Sequence, residues 1–160
     1  MPDLETSRLR LHALTAEEAE ELDAGTLPVG WAYAPGYPMP DTQDGVGLYL
    51  RHRVRDYGFH FVVRREDDQV IGEIGFVSPP QGGAVVIGYA IVPSARRRGY
   101  ATEAIGALVE WSLAQPGVDA VRAQTLPDNE ASIGALLRAG FEEDEPGPNV
   151  RRFVRGRTAG

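Results

Sequence analysis

The 160-residue chain contains no cysteine, which excludes disulfides, thiolate metal sites and cysteine nucleophiles. Lysine is absent as well, and all 16 basic residues are arginine. A Walker phosphate loop needs a lysine after its glycines, so that class is excluded too. The three histidines, His12, His52 and His60, lack the spacing of a metalloprotease helix, and no metal is expected. The most continuous apolar run, residues 84–92, is far too short to span a bilayer. Asp3 and Glu5 open the chain without an apolar h-region, so no secretory signal is read. A net charge of −7 argues against a general nucleic-acid or anionic-membrane binder. What remains is a cytoplasmic protein folding as a single domain over residues 1–160. Its 42% hydrophobic content is enough for one core.

Residues 8–12 alternate polar and apolar, as a half-buried strand does. Thr15 and Glu18 form a capping box opening a helix that Gly25 ends. Between Gly25 and Gly47, nine of 23 residues are Gly or Pro, which predicts an irregular loop carrying Trp31, Tyr33 and Tyr37. Those aromatics either wall a binding cleft or plug the edge of the core. A second helix is predicted from Asp41 or Thr42 to near Gly58, on the stripe Val46, Leu50, Val54. Residues 59–65 and 69–77 read as a hairpin, and 84–92 as a strand buried on both faces. A helix over 100–114, a strand over 118–126 and a short helix after Asn129 follow, the last with Ile133, Leu136 and Leu137 inward. Residues 141–145 and 151–155 close the chain as a hairpin. The predicted fold class is α/β: a single mixed, mostly antiparallel sheet with helices on both faces and one late parallel βαβ unit.

Chemistry concentrates in Ile87-Gly-Tyr-Ala-Ile-Val-Pro-Ser-Ala-Arg-Arg-Arg-Gly-Tyr-Ala-Thr102. A strand ends at Val92, a short loop holds Arg96, Arg97, Arg98 and Gly99, and a helix begins at once. Unpaired amides at a helix N-terminus, with the macrodipole behind them, attract an anion. Gly99 allows a conformation or a close approach that a Cβ would obstruct. A phosphate or diphosphate is the natural ligand. The plain alternative is a solvated arginine-rich turn. A nucleic-acid partner for the arginine triplet is a weaker reading, because the context is acidic and lacks interleaved aromatics.

Arg96-Arg97-Arg98-Gly99-Tyr100-Ala101 resembles the Arg/Gln-x-x-Gly-x-Gly/Ala signature of GNAT superfamily N-acetyltransferases. Three further features are similar to the RimJ/RimL-like branch, the ribosomal-protein alanine acetyltransferases. Glu5-Thr-Ser-Arg-Leu-Arg-Leu11 is close to its opening Thr-x-Arg-Leu-x-Leu. Val70-Ile-Gly-Glu-Ile-Gly75 pairs with Ile87-Gly-Tyr-Ala90, and Asn129-Glu-Ala-Ser132 precedes Ala139-Gly-Phe141. Their order holds over residues 4–155.

The resemblance implies a GNAT-like acyl-CoA N-acyltransferase fold and direct transfer of the acetyl group of acetyl-CoA to a primary amine. It implies pantetheine on Ile91 and Val92. The diphosphate would lie on the amides of Arg96, Arg97, Arg98, Gly99, Tyr100 and Ala101, with the hydroxyl of Thr102. Asn129 would contact the CoA arm and Ser132 would lie near the sulfur, although Asn129 also reads as a plain N-cap. An N–H near Val92 would meet a developing oxyanion. Many members carry a tyrosine acid seven residues after the asparagine; here that position is Leu136, which leaves Ser132 as the available hydroxyl.

Glu73 is the first choice of base. On its strand face it is the sole ionisable group among Ile71, Gly75 and Val77, surroundings that raise a carboxyl pKa. The bland reading is a cross-strand partner of an arginine. Tyr89, His60 and Glu103 are lesser candidates. Trp31, Tyr33, Tyr37 and Tyr89 are expected to bind the acceptor. That acceptor is a protein or peptide N-terminal amine, or alternatively a metabolite or antibiotic amine. A homodimer is compatible with the resemblance. A non-catalytic acyl-CoA-binding module is the remaining alternative.

Overall fold

A computed structural model describes residues 1–52 and 57–157. In chain order the elements are β1 (Leu4–Glu5), β2 (Leu9–Ala13), α1 (Ala16–Asp23), β3 (Ala32–Tyr33), α2 (Thr42–His52), β4 (Phe59–Arg64) and β5 (Gln69–Gln81). After them come β6 (Ala84–Ile91), a 3-10 turn at Pro93–Ala95, α3 (Tyr100–Leu113), β7 (Ala120–Thr125), α4 (Glu130–Arg138), β8 (Glu142–Gly147) and β9 (Val150–Gly156). Among the described residues the sheet runs β1-β2-β4-β5-β6-β7-β9-β8, with β3 added beside β5. The β6–β7 and β3–β5 pairs are parallel and the others antiparallel. The α/β fold with one mixed, mostly antiparallel sheet is therefore the observed one.

The local signals act as their chemistry dictates. Thr15 accepts from the Glu18 amide and the Glu18 carboxylate accepts from the Thr15 amide, closing the capping box of α1. Such a cap is worth about 1 kcal/mol. β4 is buried at five successive positions and β5 from Val70 to Phe76, so both sheet faces are covered there. On one face Phe76 meets Trp111 of α3; on the other, Glu73 meets Thr42 of α2. Gly72 is obligatory at this centre, because a Cβ there would come within 2.3 Å of the Ala90 carbonyl oxygen.

Four expectations change. The segment 25–47 is not wholly irregular: Ala32 and Tyr33 pair with Gln69 and Val70 as β3, and Thr42 opens α2. The predicted extension of that helix past His52, with Val54, lies outside the described residues. The loop expected at 78–83 shrinks to a turn at Gly82 and Gly83, because β5 continues to Gln81. β6 is covered mainly on one face: Val85, Ile87 and Ile91 are buried and Tyr89, on the same face, is half-buried, while Val86 and Ala90 on the other face are half-buried. Its edge opens onto a cleft rather than onto another strand. Finally, Leu137 is 50% exposed and Ala135 takes its place inward.

Candidate active site

The cleft begins where two strands part. β6 and β7 pair only at Ala84–Ala120, Val85–Val121 and Val86–Arg122. β6 then continues along β5 to Ile91, while β7 continues along β9 to Thr125. Beyond Val86 the β6 edge has no strand beside it. The Val92 amide donates to the Ile71 carbonyl at 2.8 Å, so the N–H expected near Val92 to meet an oxyanion is not that of Val92 itself. The alternation of an antiparallel ladder then turns the Ile91 amide toward the open edge. The Ile91 carbonyl faces the same way, and Arg96 Nε donates to it at 2.9 Å.

A cavity of about 640 Å³ follows, lined by Ile91, the loop residues Arg96, Arg97 and Gly99, the first turn of α3 (Tyr100, Ala101, Thr102), and α4. Arg97 and Gly99 hold φ of +64° and +81°. The amide of Arg96 bends back to Pro93 at 3.3 Å, but those of Arg97 through Thr102 donate to no other described residue. The Thr102 hydroxyl oxygen is also buried without a partner. Amides at a helix start, an orphaned hydroxyl and the arginines of the loop are groups able to hold a diphosphate. Arg98 does not line this cavity; its carbonyl accepts from Arg8 behind the loop at 2.8 Å.

Reading the sequence missed the opposite wall. Glu130, Ala131, Ala135 and Arg138 of α4 face the loop, Ala131, Ala135 and Arg138 recurring at the four- and three-residue steps that share a helix face. Asn129 caps α4 through its Oδ1, which accepts from the Ser132 amide at 3.2 Å, and it lines the narrower continuation of the cleft with Tyr89, Ile91 and Ser132. The Tyr89 hydroxyl donates to the Ser132 carbonyl at 3.1 Å. Burial pushes the Tyr89 phenol up to about 12, the Ser132 contact opposing. Leu136, seven residues after Asn129, is fully buried in the core.

Register places Glu73 opposite Ala90 and Ile74 opposite Tyr89, so Glu73 and Tyr89 project from opposite sheet faces. Glu73 is 4% exposed. Its Oε1 accepts from the Thr42 hydroxyl at 2.5 Å, and its Oε2 is buried without a partner. Burial pushes its carboxyl up to about 7; the Thr42 bond opposes the rise and Asp41 adds to it. No described arginine pairs with it. Glu73 lines a cavity of about 230 Å³ together with Asp41, Asp44, Phe59, Tyr89 and Ala90.

Trp31, Tyr33 and Tyr37 pack around Phe61, at ring-centroid distances of 5.7, 5.8 and 5.8 Å. Trp31 donates to Glu18, and Tyr33 donates to the Pro28 carbonyl. The part of this segment that lines the Glu73 cavity is Asp41, Asp44 and Gly45. His60 is fully buried, bonded to the Ile74 carbonyl and pushed down to about 4 by burial. Glu103 is turned away to Thr6 and Arg8. Burial raises its pKa, but those hydrogen bonds outweigh it and hold the carboxyl below the usual range.

The acetyltransferase (GNAT) domain family matches residues 8–142, most of the chain, and the chain belongs to that family. It is an acetyl-CoA-dependent acetyltransferase. It is 32% identical to the uncharacterized N-acetyltransferase YoaA of Bacillus subtilis (strain 168), over 89% of this chain and 84% of that one. Among solved structures, an acetyltransferase from Agrobacterium tumefaciens str. C58 superposes with a TM-score of 0.71 at 21% identity, covering 98% and 95% of the two chains. RimL, a ribosomal α-N-protein acetyltransferase in complex with coenzyme A, superposes with a TM-score of 0.71 at 17% identity, covering 99% of each chain. Among the described residues, no helix is long and apolar enough to cross a membrane.

Proposed function

We propose that this acetyltransferase acts on a primary amine that enters from the α2 side, with Glu73 as the base. The observation that carries the reading is the unpartnered, buried Glu73 Oε2 on a cavity that shares Tyr89 and Ala90 with the cleft leading to the phosphate loop. Acetyl-CoA supplies the activated acyl group. Its diphosphate is held by the free amides of Arg97 and of Gly99 to Thr102, by the Thr102 hydroxyl and by the Arg97 side chain. Its arm runs along the open edge of β6, where the Ile91 amide donates in place of Val92. Asn129 and Ser132 flank that edge from α4.

An amine must be neutral to attack. A carboxylate with a pKa near 7 is suited to take its proton at neutral pH. Asp41 and Asp44 draw in the cationic form before that transfer. On the opposite face the Tyr89 hydroxyl keeps its proton throughout the neutral range and touches α4 at the Ser132 carbonyl; with Ser132 it is available to return a proton to the leaving thiolate. The aromatics Trp31, Tyr33 and Tyr37 shape the acceptor side by fixing the segment that carries Asp41 and Asp44.

We assign the acceptor to protein or peptide α-amines. Support comes from the Glu5–Leu11 and Asn129–Phe141 motifs shared with the RimJ/RimL-like branch. The test is acetyl-CoA turnover, followed as thiol release, with a free-amine peptide, an N-blocked control, small diamines and aminoglycosides. Faster thiol release with the free-amine peptide, and acetyl on its terminus by mass spectrometry, is the expected result. A preference for the small amines would move the acceptor to metabolites. CoA binding with no turnover across the panel would leave only a binding module.

A further inference from the structure

The Thr-x-Arg-Leu-x-Leu motif of residues 6–11 places no side chain in the chemistry above. Two of its residues, Leu9 and Leu11, are fully buried in the core. The other two, Thr6 and Arg8, converge on Glu103 in the first turn of α3. Thr6 donates to Glu103 Oε2, and Arg8 donates to the same carboxylate through its amide at 3.0 Å and its Nε at 2.7 Å. The Arg8 guanidinium lies over the Tyr100 ring at 4.4 Å, and its Nη1 donates to the Arg98 carbonyl at 2.8 Å. Arg8 thus touches the phosphate loop from behind. It lines a separate cavity with Ser7, Arg64 and Arg65 on the far side of Tyr100.

We propose that Arg8 is a positioning residue for the acetyl donor: by holding the Arg98 carbonyl behind the loop, it aims the Gly99 amide into the diphosphate cavity. The inference rests on the diphosphate site proposed above. A trans peptide unit is planar, so the Arg98 C=O and the Gly99 N–H point in opposite directions. With the carbonyl drawn toward Arg8, the amide faces the cavity that Gly99 lines. The loop needs such a latch. Gly99 has no Cβ, and rotation of the 98–99 peptide unit meets little steric resistance at a glycine. The Arg98 carbonyl accepts from no described residue but Arg8. Glu103 holds the guanidinium in place, so the latch has two parts.

The experiment measures steady-state transfer by wild type, Arg8→Gln and Glu103→Gln with two donors. These are acetyl-CoA and S-acetylpantetheine, which carries the thioester arm without the diphosphate. For Arg8→Gln, KM for acetyl-CoA rises about ten- to a hundredfold, the range of a lost hydrogen bond to a charged group, while kcat stays within about threefold. With S-acetylpantetheine the gap between wild type and variant narrows sharply. Glu103→Gln moves acetyl-CoA KM in the same direction by less, and covers the case of a poorly folding Arg8 variant. Arg10→Gln, which removes only an exposed pair with Glu5, is the charge control and leaves KM for both donors as in wild type. An unchanged acetyl-CoA KM in both latch variants overturns the proposal. So does an equal loss with both donors, which marks a general folding role. If the wild type neither binds nor uses acetyl-CoA, the site reading fails first and the latch with it.

Discussion

The Thr42 hydroxyl donates to Glu73 Oε1 at 2.5 Å and leaves Oε2 as the buried, unpartnered oxygen of that carboxylate. Thr42 is itself held, because its Oγ1 accepts from the Met39 amide at 2.9 Å. One oxygen is thus fixed by the start of α2 and the other is left for a proton.

Glu73→Gln removes the proton acceptor and keeps the shape. Its kcat falls about a hundredfold, within the range of general base catalysis, while CoA affinity holds. In wild type kcat rises with pH about a midpoint near 7, the value to which burial pushes the carboxyl; the variant's profile is flat there. A pH–rate series decides it, and an unchanged kcat would retire the assignment.

Stability should move with the same group. Its folded pKa near 7 lies above its ordinary 4.5, so between those values the folded state binds the additional proton. Stability contributed by this group is therefore present at low pH and lost as pH rises through 7. Glu73→Gln gains stability relative to wild type at pH 8 compared with pH 4, by at most about 3 kcal/mol. Urea midpoints at the two pH values measure it.

Thr102→Val separates donor binding from folding. The hydroxyl is buried and unpaired in the free chain, so its loss leaves the melting temperature equal or higher. If the hydroxyl meets the diphosphate, acetyl-CoA KM rises severalfold. Calorimetric titration with CoA reads the same loss, and unchanged affinity would take Thr102 out of the site.

Gly99→Ala acts from the back of the loop. Gly99 sits at φ +81°, and an added Cβ would lie 3.3 Å from Arg8 Nη2. The left-handed conformation costs an L residue roughly 1–2 kcal/mol. The expected result is weaker CoA binding with little change in kcat. An alanine variant with wild-type KM would show that the loop tolerates the strain.

Tyr89→Phe and Ser132→Ala apportion the thiolate side. The Tyr89 hydroxyl reaches Ser132 through the backbone carbonyl, so Ser132→Ala leaves Tyr89 in place. A severalfold lower kcat in Tyr89→Phe, with Ser132→Ala near wild type, assigns the proton to the phenol. The reverse pattern assigns it to the serine.

Local signals were readable because they act over a few residues. The capping box at Thr15 and the helix start after Gly99 depend on hydrogen bonds and periodicities within one element, whereas the Ala131–Ala135 wall of α4 shows only once that helix packs opposite the loop. The expectation of an anion site at Arg96 to Ala101 with Thr102 rests on the same short range, a loop running straight into a helix start. The choice between a wall and a plug for Trp31, Tyr33 and Tyr37 was not, because it depends on Phe61, a residue on a strand distant in sequence. Which amide near Val92 is free was not legible either, because the acceptor of the Val92 amide, Ile71, lies on the neighbouring strand.

Sequence alone thus determined the longer helices and strands and their order, the loop before the helix at Tyr100, and the single carboxylate on an otherwise apolar strand face. Tertiary structure decided that β6 and β7 part after Val86, that Thr42 takes one oxygen of Glu73, and that Arg8 reaches the Arg98 carbonyl across 90 residues of chain. The division follows from range. Dihedral preference and periodicity are carried by neighbours in sequence, whereas burial, an orphaned oxygen and a latch exist only when distant segments pack together.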